Sequence, residues 1–213
     1  GKSTTLQTVS GLLHSRTGSI EFLGENLMGV PAHKVVAKGL AQVPEGRRVF
    51  LQMTVEENLE MGAYTRSGGD IDADLEKVYA YFPRLMERRR QIAGTLSGGE
   101  QQRAWLAVLL AQDAPILLLD EPTTYLDVHH QLRILDLLRR INEGWQKTIV
   151  VVLHDMNQAW QYADEVVIMK DGALVCTGPP QAVLTPERLW DVFSVRTDIV
   201  TTSDGRSAIV VLQ

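Results

Sequence analysis

The chain of 213 residues is 45% hydrophobic with a net charge of −5, which suits one α/β domain and argues against a nucleic-acid surface as its main partner face. Its only cysteine, Cys176, excludes an internal disulfide and indicates a reducing compartment. The longest aliphatic runs, such as residues 149–153, are far too short to cross a bilayer.

The sequence begins inside a phosphate-binding pattern. Residues 1–4 read Gly-Lys-Ser-Thr, the end of G-x-x-x-x-G-K-[ST], followed by a predicted helix at residues 2–13. In such a loop Lys2 would reach the β- and γ-phosphates of a nucleotide, and Ser3 would hold Mg²⁺. Gly-Lys-Ser is common in loops, so this prediction depends on motifs farther along. We also expect a few dozen residues, about three short strands, to precede Gly1 in the full protein.

The next part of the chain predicts a small sheet and then a helical insert. A strand, a helix and a buried strand are expected at residues 19–23, 31–38 and 40–43. After a loop at residues 44–50, the sequence is helical from 55 to 95. Thr54 is expected to cap the first of these helices, with Glu57 closing a capping box.

Two glycines directly precede the next helix, which is predicted at residues 100–112. Ser97 is a good N-cap, and Glu100 completes a second capping box. Gly98 and Gly99 leave the helix N-terminus bare, so backbone N–H groups can reach an anion. Taken alone, the same residues would form an ordinary cap.

A run of four aliphatic residues, 116–119, predicts a strand buried on both faces and ending in two carboxylates. Ligands of open α/β sheets lie at this end of the strands. Asp120 could hold Mg²⁺, and Glu121 could orient or deprotonate a water. His154 follows another buried strand, at residues 148–153, and would contact the γ-phosphate, although a lone histidine is more often structural.

The rest of the chain continues the alternation of strands and helices. Further helices are predicted at residues 128–141, 156–163 and 186–193, and strands at 165–170 and 173–177, with two short strands closing the chain. Asp171-Gly172 is a hairpin turn signal. His129 and His130 lie on a polar helix and are predicted to be simply solvated.

Four motifs appear in the order typical of one family. The chain resembles the ATP-binding subunit of ABC transporters over essentially its whole length, with motifs at residues 1–4, 96–101, 117–121 and 123–127, and His154 as the switch histidine. The resemblance implies an α/β fold in one domain, residues 1–213. Its parts would be a three-layer P-loop NTPase core (1–54 and 100–213), an all-helical signature subdomain (55–99) and the remnant of a small antiparallel β subdomain.

The resemblance also implies ATP hydrolysis coupled to transport, with ATP and Mg²⁺ as cofactors. Glu121 and His154 would be catalytic, and Asp127 would lie at a dimer interface. The nucleotide would be bound by Gly1, Lys2, Ser3, Thr4, Glu45 and Asp120, with Ser3, Asp120 and Glu45 toward the metal. Ser97, Gly98, Gly99 and Glu100 would act in trans, on the nucleotide of a second subunit.

The loop at residues 44–50 departs from most of the family, which carries Gln where this chain has Glu45. A Glu can still touch Mg²⁺ or its water, but it adds charge and loses a donor. The ATPases of branched-chain amino-acid importers resemble this chain here. Residues 1–102 as a whole resemble that group, whereas residues 103–213 resemble the iron–siderophore importer ATPases. The cargo stays open between the two.

The implied partners are permease subunits, a second ATPase subunit (a copy or a paralogue) and, indirectly, a substrate-binding protein, at the cytoplasmic face of the membrane, with no nucleic acid. The permease would dock on Arg47, Arg48, Phe50 and residues 55–64. One alternative is a soluble ABC-type ATPase acting on DNA or ribosomes. However, Lys2 and Ser97 are only 95 positions apart with no heptads, unlike the DNA-repair members. A non-catalytic binding module is the third possibility.

Overall fold

The computed structural model describes residues 1–43, 49–65, 71–124 and 126–212. The chain divides into two compact units, of which the larger is Ser3–Val152. The smaller consists of Gly1, Lys2 and the chain from Leu153 onward. No helix within the described ranges is long and apolar enough to cross a membrane.

The larger unit is built on a parallel three-stranded sheet. Its strands are β3 (Leu40–Val43), β4 (Ile116–Asp120) and β5 (Thr148–Val152), in the order β3-β4-β5. Leu40 pairs with Ile116, and Ile116 pairs with Thr148, so all three strands end at the same edge. The prediction that the strand before Asp120 is buried on both faces is confirmed, because β4 lies in the middle of the sheet.

Helices cover both faces of this sheet. The remaining elements of the unit are α1 (Lys2–Val9), β1 (Glu21–Phe22), β2 (Glu25–Asn26), α2 (Ala32–Ala37), α3 (Val55–Gly62), α4 (Ile71–Tyr81), α5 (Pro83–Glu87), α6 (Gly98–Ala111) and α7 (Val128–Trp145). One cluster joins Leu117 and Leu119 to α3, α4, α6 and α7. The opposite cluster joins Leu118 to Leu6 of α1 and Val35 of α2. The predicted three-layer α/β core is therefore confirmed.

Two details of the larger unit differ from or extend the sequence prediction. Helix α1 ends at Val9, four residues earlier than expected. Gly11 follows with φ +77, and a Cβ there would lie 2.7 Å from the carbonyl oxygen of Val30, so the chain must leave the helix at this point. Within residues 55–65 and 71–95 the insert is mainly helical, as predicted, with two short 3₁₀ turns at Ala63–Thr65 and Ala93–Thr95. The subdomain boundaries at 54/55 and 99/100 stay a prediction.

The smaller unit consists of two antiparallel hairpins and three helices. Its elements are α8 (Met156–Tyr162), β6 (Val166–Lys170), β7 (Ala173–Gly178), α9 (Pro180–Val183), α10 (Pro186–Phe193), β8 (Thr197–Thr201) and β9 (Ser207–Val211). Strands β6 and β7 pair across Asp171 and Gly172, as the turn signal predicts. Ile168, Leu189 and Ile209 share its core.

Candidate functional site

A hydroxyl and a carboxylate meet where α1 begins and β4 ends. Ser3 Oγ donates a 2.9 Å hydrogen bond to Asp120 Oδ1 across 117 positions of sequence. Asp120 is only 1% exposed, and its Oδ2 has no hydrogen-bond partner among the described residues. Burying a carboxylate oxygen without a partner is costly, and a bound cation removes that cost. This pairing therefore has the chemistry of a cation site.

The donor set suits Mg²⁺ in particular. Mg²⁺ takes oxygen ligands and is usually held by one or two carboxylates together with phosphates and waters. Within the described ranges, no three His, Cys, Asp or Glu residues are grouped so that they alone could hold a metal. The protein would thus supply Ser3 and Asp120, and a nucleotide and water would complete the coordination.

Glu121 follows directly and has an unusual backbone. Its φ is +52, a left-handed value that few residues other than glycine adopt and that is often found at functional sites. The hydroxyl of Thr124 donates to Glu121 Oε2 at 3.1 Å. Because Pro122 follows, the strand ends here, and the carboxylate of Glu121 is held at the edge of the sheet where ligands bind.

Gln102 fixes this turn from the neighbouring helix. Its side chain is buried (5% exposed), and Nε2 donates a 2.8 Å hydrogen bond to the carbonyl oxygen of Pro122. The sequence analysis missed this residue. A signal was available, because Gln102 occupies the same helical face as the buried Trp105, Leu106 and Leu109.

The glycine-rich turn begins α6 as predicted. Ser97 is the N-cap, and Glu100 closes a capping box, with its Oε2 accepting from the backbone N–H (2.9 Å) and the hydroxyl (2.7 Å) of Ser97. The hydrogen bond from the Ser97 hydroxyl is the main reason that the pKa of Glu100 is lowered. Glu100 also forms a 3.4 Å ion pair with Arg88. The first turn of α6 thus has a fixed geometry.

Asp127 begins α7, and His130 is its partner. The Asp127 carboxylate accepts from the backbone N–H of His130 at 2.9 Å and lies 2.8 Å from His130 Nδ1. These bonds, the backbone one first, lower the pKa of Asp127. The prediction that His130 is simply solvated is therefore wrong. Its neighbour His129 is exposed, in line with that prediction.

Comparison with known proteins decides the family. The family model described as "ABC transporter" matches residues 1–124 of this chain. The chain belongs to the ABC transporter family. Its members bind and hydrolyse ATP, so the chain is an ATPase, and the resemblance seen in the sequence is confirmed.

Two groups of relatives are similar to this ABC ATPase. The petrobactin import ATP-binding protein FpuC of Bacillus anthracis is 38% identical over 96% of this chain and 76% of its own length. The high-affinity branched-chain amino acid transport ATP-binding protein BraG of Pseudomonas aeruginosa is 40% identical over 91% of this chain and 82% of its own.

Solved structures share the fold of this ABC ATPase. A putative metal-chelate type ABC transporter in an inward-facing conformation aligns with a TM-score of 0.81 at 23% identity, covering all of this chain and 82% of the other. An ATP-binding cassette of an ABC transporter in its ADP conformation gives 0.77 at 18% identity, covering 91% and 83%. At these identities the likeness concerns the fold alone.

The predicted site residues of the ABC ATPase fall into three groups. Ser3, Asp120 and Glu121 are brought together in the larger unit. The signature residues and Asp127 belong to the same unit. Gly1, Lys2 and His154 belong to the smaller unit, and their roles, like that of Thr4 beside Ser3, stay predictions. Glu45 lies outside the described residues, as do Arg47 and Arg48.

Proposed function

We propose that this chain is the ATP-hydrolysing subunit of an importer and that it works as a pair of ATPase subunits. The observation that carries the proposal is the Ser3–Asp120 contact with its unpartnered buried oxygen, directly beside the left-handed Glu121. Together, Ser3 and Asp120 form a site for the metal-bound phosphate groups of ATP, and Glu121 supplies a carboxylate that can bind the attacking water. The resident Mg²⁺ would neutralise phosphate charge when bound.

The protein's own groups divide the work of hydrolysis. Glu121, held by the hydroxyl of Thr124, orients the attacking water and accepts its proton. The family resemblance assigns contact with the γ-phosphate to Lys2 and His154. The N-terminus of α6 in the second subunit, with Ser97, Gly98 and Gly99, directs backbone N–H groups at the charge that develops on that phosphate. Loss of the phosphate removes the bridge between the subunits.

The test is Glu121→Gln in the full-length subunit. The amide oxygen can still accept from Thr124, so ATP should stay bound, whereas loss of the base should lower kcat by about 10²–10⁴-fold. Phosphate release is measured beside gel filtration with ATP, where the variant should accumulate as a dimer. Glu143→Gln, on the exposed side of α7, is the matched control and should keep parental activity. Hydrolysis by Glu121→Gln near the parental rate would disprove the assignment.

An apolar surface beside α3 is the proposed docking site for a permease at the cytoplasmic face of the membrane. Phe50 is 55% exposed and Tyr64 is 79% exposed, although both are large hydrophobic residues. Asn58, which is buried on α3, fixes the main chain of Phe50: its Oδ1 accepts from the Phe50 N–H at 2.7 Å and its Nδ2 donates to the Phe50 carbonyl at 3.0 Å. Exposed apolar side chains on a fixed main chain are suited to binding a partner helix.

The bound element of the permease would be a short amphipathic helix with an acidic end, which complements Arg47 and Arg48. Met53, beside Phe50, is half-buried and contributes to the packing of the insert as well. This surface lies in the part of the sequence that resembles the amino-acid importers. We therefore propose pairing with an amino-acid-type permease, and a branched-chain amino acid as the cargo in preference to an iron–siderophore complex.

Co-purification with an amino-acid-type and an iron-type permease tests this choice. The double variant Arg47→Glu and Arg48→Glu should lose the amino-acid-type permease, because it reverses the charge opposite the acidic end. Arg84→Glu, exposed on α5, is the control and should keep it. Preference for the iron-type permease, or unchanged pairing in the double variant, would transfer the proposal to iron–siderophore import.

A further inference from the structure

The imidazole of His130 lies between two motifs of the ABC ATPase. On one edge, Nδ1 is 2.8 Å from one carboxylate oxygen of Asp127 and 3.0 Å from the other. On the opposite edge, the ring approaches the first turn of α6, since a Cβ built on Gly99 would lie 3.2 Å from His130 Cδ2 and 3.5 Å from Nε2. One side chain thus contacts the start of α7 and the glycine-rich turn at once.

We propose that His130 is a positioning residue that sets the signature turn at Gly99 relative to Asp127. This inference rests on the proposed role of Ser97, Gly98 and Gly99 toward the nucleotide of the second subunit. The Asp127 carboxylate holds one edge of the ring and so fixes where the other edge lies. Because Gly99 has no Cβ, that edge comes close to its main chain. A displacement of the signature turn is then passed through the ring to Asp127.

The ring is not needed to cap α7. The cap is formed by the Asp127 carboxylate and the backbone N–H of His130, at 2.9 Å, and any residue except proline would supply that N–H. The ring contacts are additional to the cap, and they reach a motif 31 positions earlier in the sequence. A purely structural role and a positioning role therefore predict different results for variants at this position.

Three variants separate the two edges of the ring. His130→Asn keeps a donor near Asp127 and loses the edge that faces Gly99. His130→Phe keeps an aromatic edge against Gly99 and loses the donor, while His130→Ala loses both. The control is His33→Ala, which removes an exposed imidazole from α2.

The measurements are kcat, the Kd for ATP and the thermal midpoint of the full-length subunit in complex with its permease. A misplaced signature turn should lower kcat by about tenfold in all three His130 variants, because a misplacement of about 1 Å can cost about 10²-fold in rate and a smaller one should cost less. The Kd for ATP and the midpoint should stay parental, and His33→Ala should be parental in every measurement.

Three results would overturn the proposal. Parental kcat in His130→Asn or His130→Phe would show that one edge suffices, and parental kcat in His130→Ala would show that neither edge matters. A fall in kcat that follows a fall in the thermal midpoint would show that His130 only stabilises α7. A raised Kd for ATP would place its effect on binding. Glu121→Gln is run in the same assay: if it remains active, the proposed site itself is wrong, whereas if it is inactive and the His130 variants are parental, only the positioning role fails.

Discussion

Replacing Gln102 by Met should weaken both the stability of the larger unit and its ATPase activity. Met has nearly the same length and fills irregular space, so the cavity left in the core is small. What is lost is the 2.8 Å hydrogen bond to the carbonyl oxygen of Pro122, which is itself buried. A buried acceptor left unpaired costs about 1–3 kcal/mol, so we expect a loss of about 2 kcal/mol.

For a chain of 213 residues, that loss should lower the thermal midpoint by about 4–8 °C, since each kcal/mol is worth about 2–4 °C at this size. Activity should fall as well, because the freed carbonyl belongs to the residue after Glu121 and the left-handed turn there is no longer held from α6. The expected kinetic signature is a lower kcat with an unchanged Kd for ATP.

Circular dichroism and phosphate release measure the two effects in the same preparation. Gln101→Met is the matched control, because Gln101 is half-buried and its bonds to Ala93 and Leu96 are long, at 3.4 Å and 3.2 Å. It should shift the midpoint less than Gln102→Met does. If Gln102→Met melts and turns over like the parent, the hydrogen bond to Pro122 does not hold the site and the reasoning is refuted.

Two further changes test the helical insert. Asn58→Leu removes three hydrogen bonds to the main chain of Phe50 and Thr54. The free energy of unfolding in urea should therefore fall by about 2–4 kcal/mol, and co-purification with the permease should fail. Unchanged pairing with the permease would contradict the docking proposal. The hydrogen bonds from Thr54, first that from its backbone N–H and then that from its hydroxyl, lower the pKa of Glu57 in the folded state below the ordinary value of a glutamate, about 4.3. The stability from this capping box is therefore present above that pH and is lost as the pH falls through the folded pKa. Urea midpoints of the parent should therefore fall more steeply below this pH than those of Glu57→Gln, and parallel curves would refute the linkage.

The parts of the fold that the sequence predicts are those set by local chemistry. The capping boxes at Thr54 and Ser97 depend on residues three positions apart, and both are present. Strand β4 is predictable because a short run of aliphatic residues is typical of a strand that is buried on both faces. The meeting of Ser3 and Asp120 is predictable because the strand ends at Asp120 and the phosphate-loop pattern supplies Ser3.

The missed features depend on side-chain contacts with groups outside their own helices. The hydrophobic pattern predicts that the helix faces of Gln102 and Asn58 pack in the core. Only the structure shows which main-chain groups these two side chains bind. His130 was assigned to solvent because its helix is polar, yet the contact with Gly99 comes from the approach of α7 to α6. The end of α1 at Val9 follows from the close approach of Gly11 to Val30, which local helix propensity does not report.

The candidate site carries an energetic cost of folding that nucleotide binding can relieve. Among the described residues, five side chains bury an atom without a hydrogen-bond partner, and Asp120 is the one that carries a formal charge. The next residue, Glu121, has a strained backbone, a cost of the order of 1–3 kcal/mol. Both are held from outside the strand, by Ser3 and by the bond from Gln102 to Pro122. A cation bound together with the nucleotide would pair with Oδ2 of Asp120, and binding at this edge should stabilise the larger unit because it satisfies a group that the fold alone leaves unpaired.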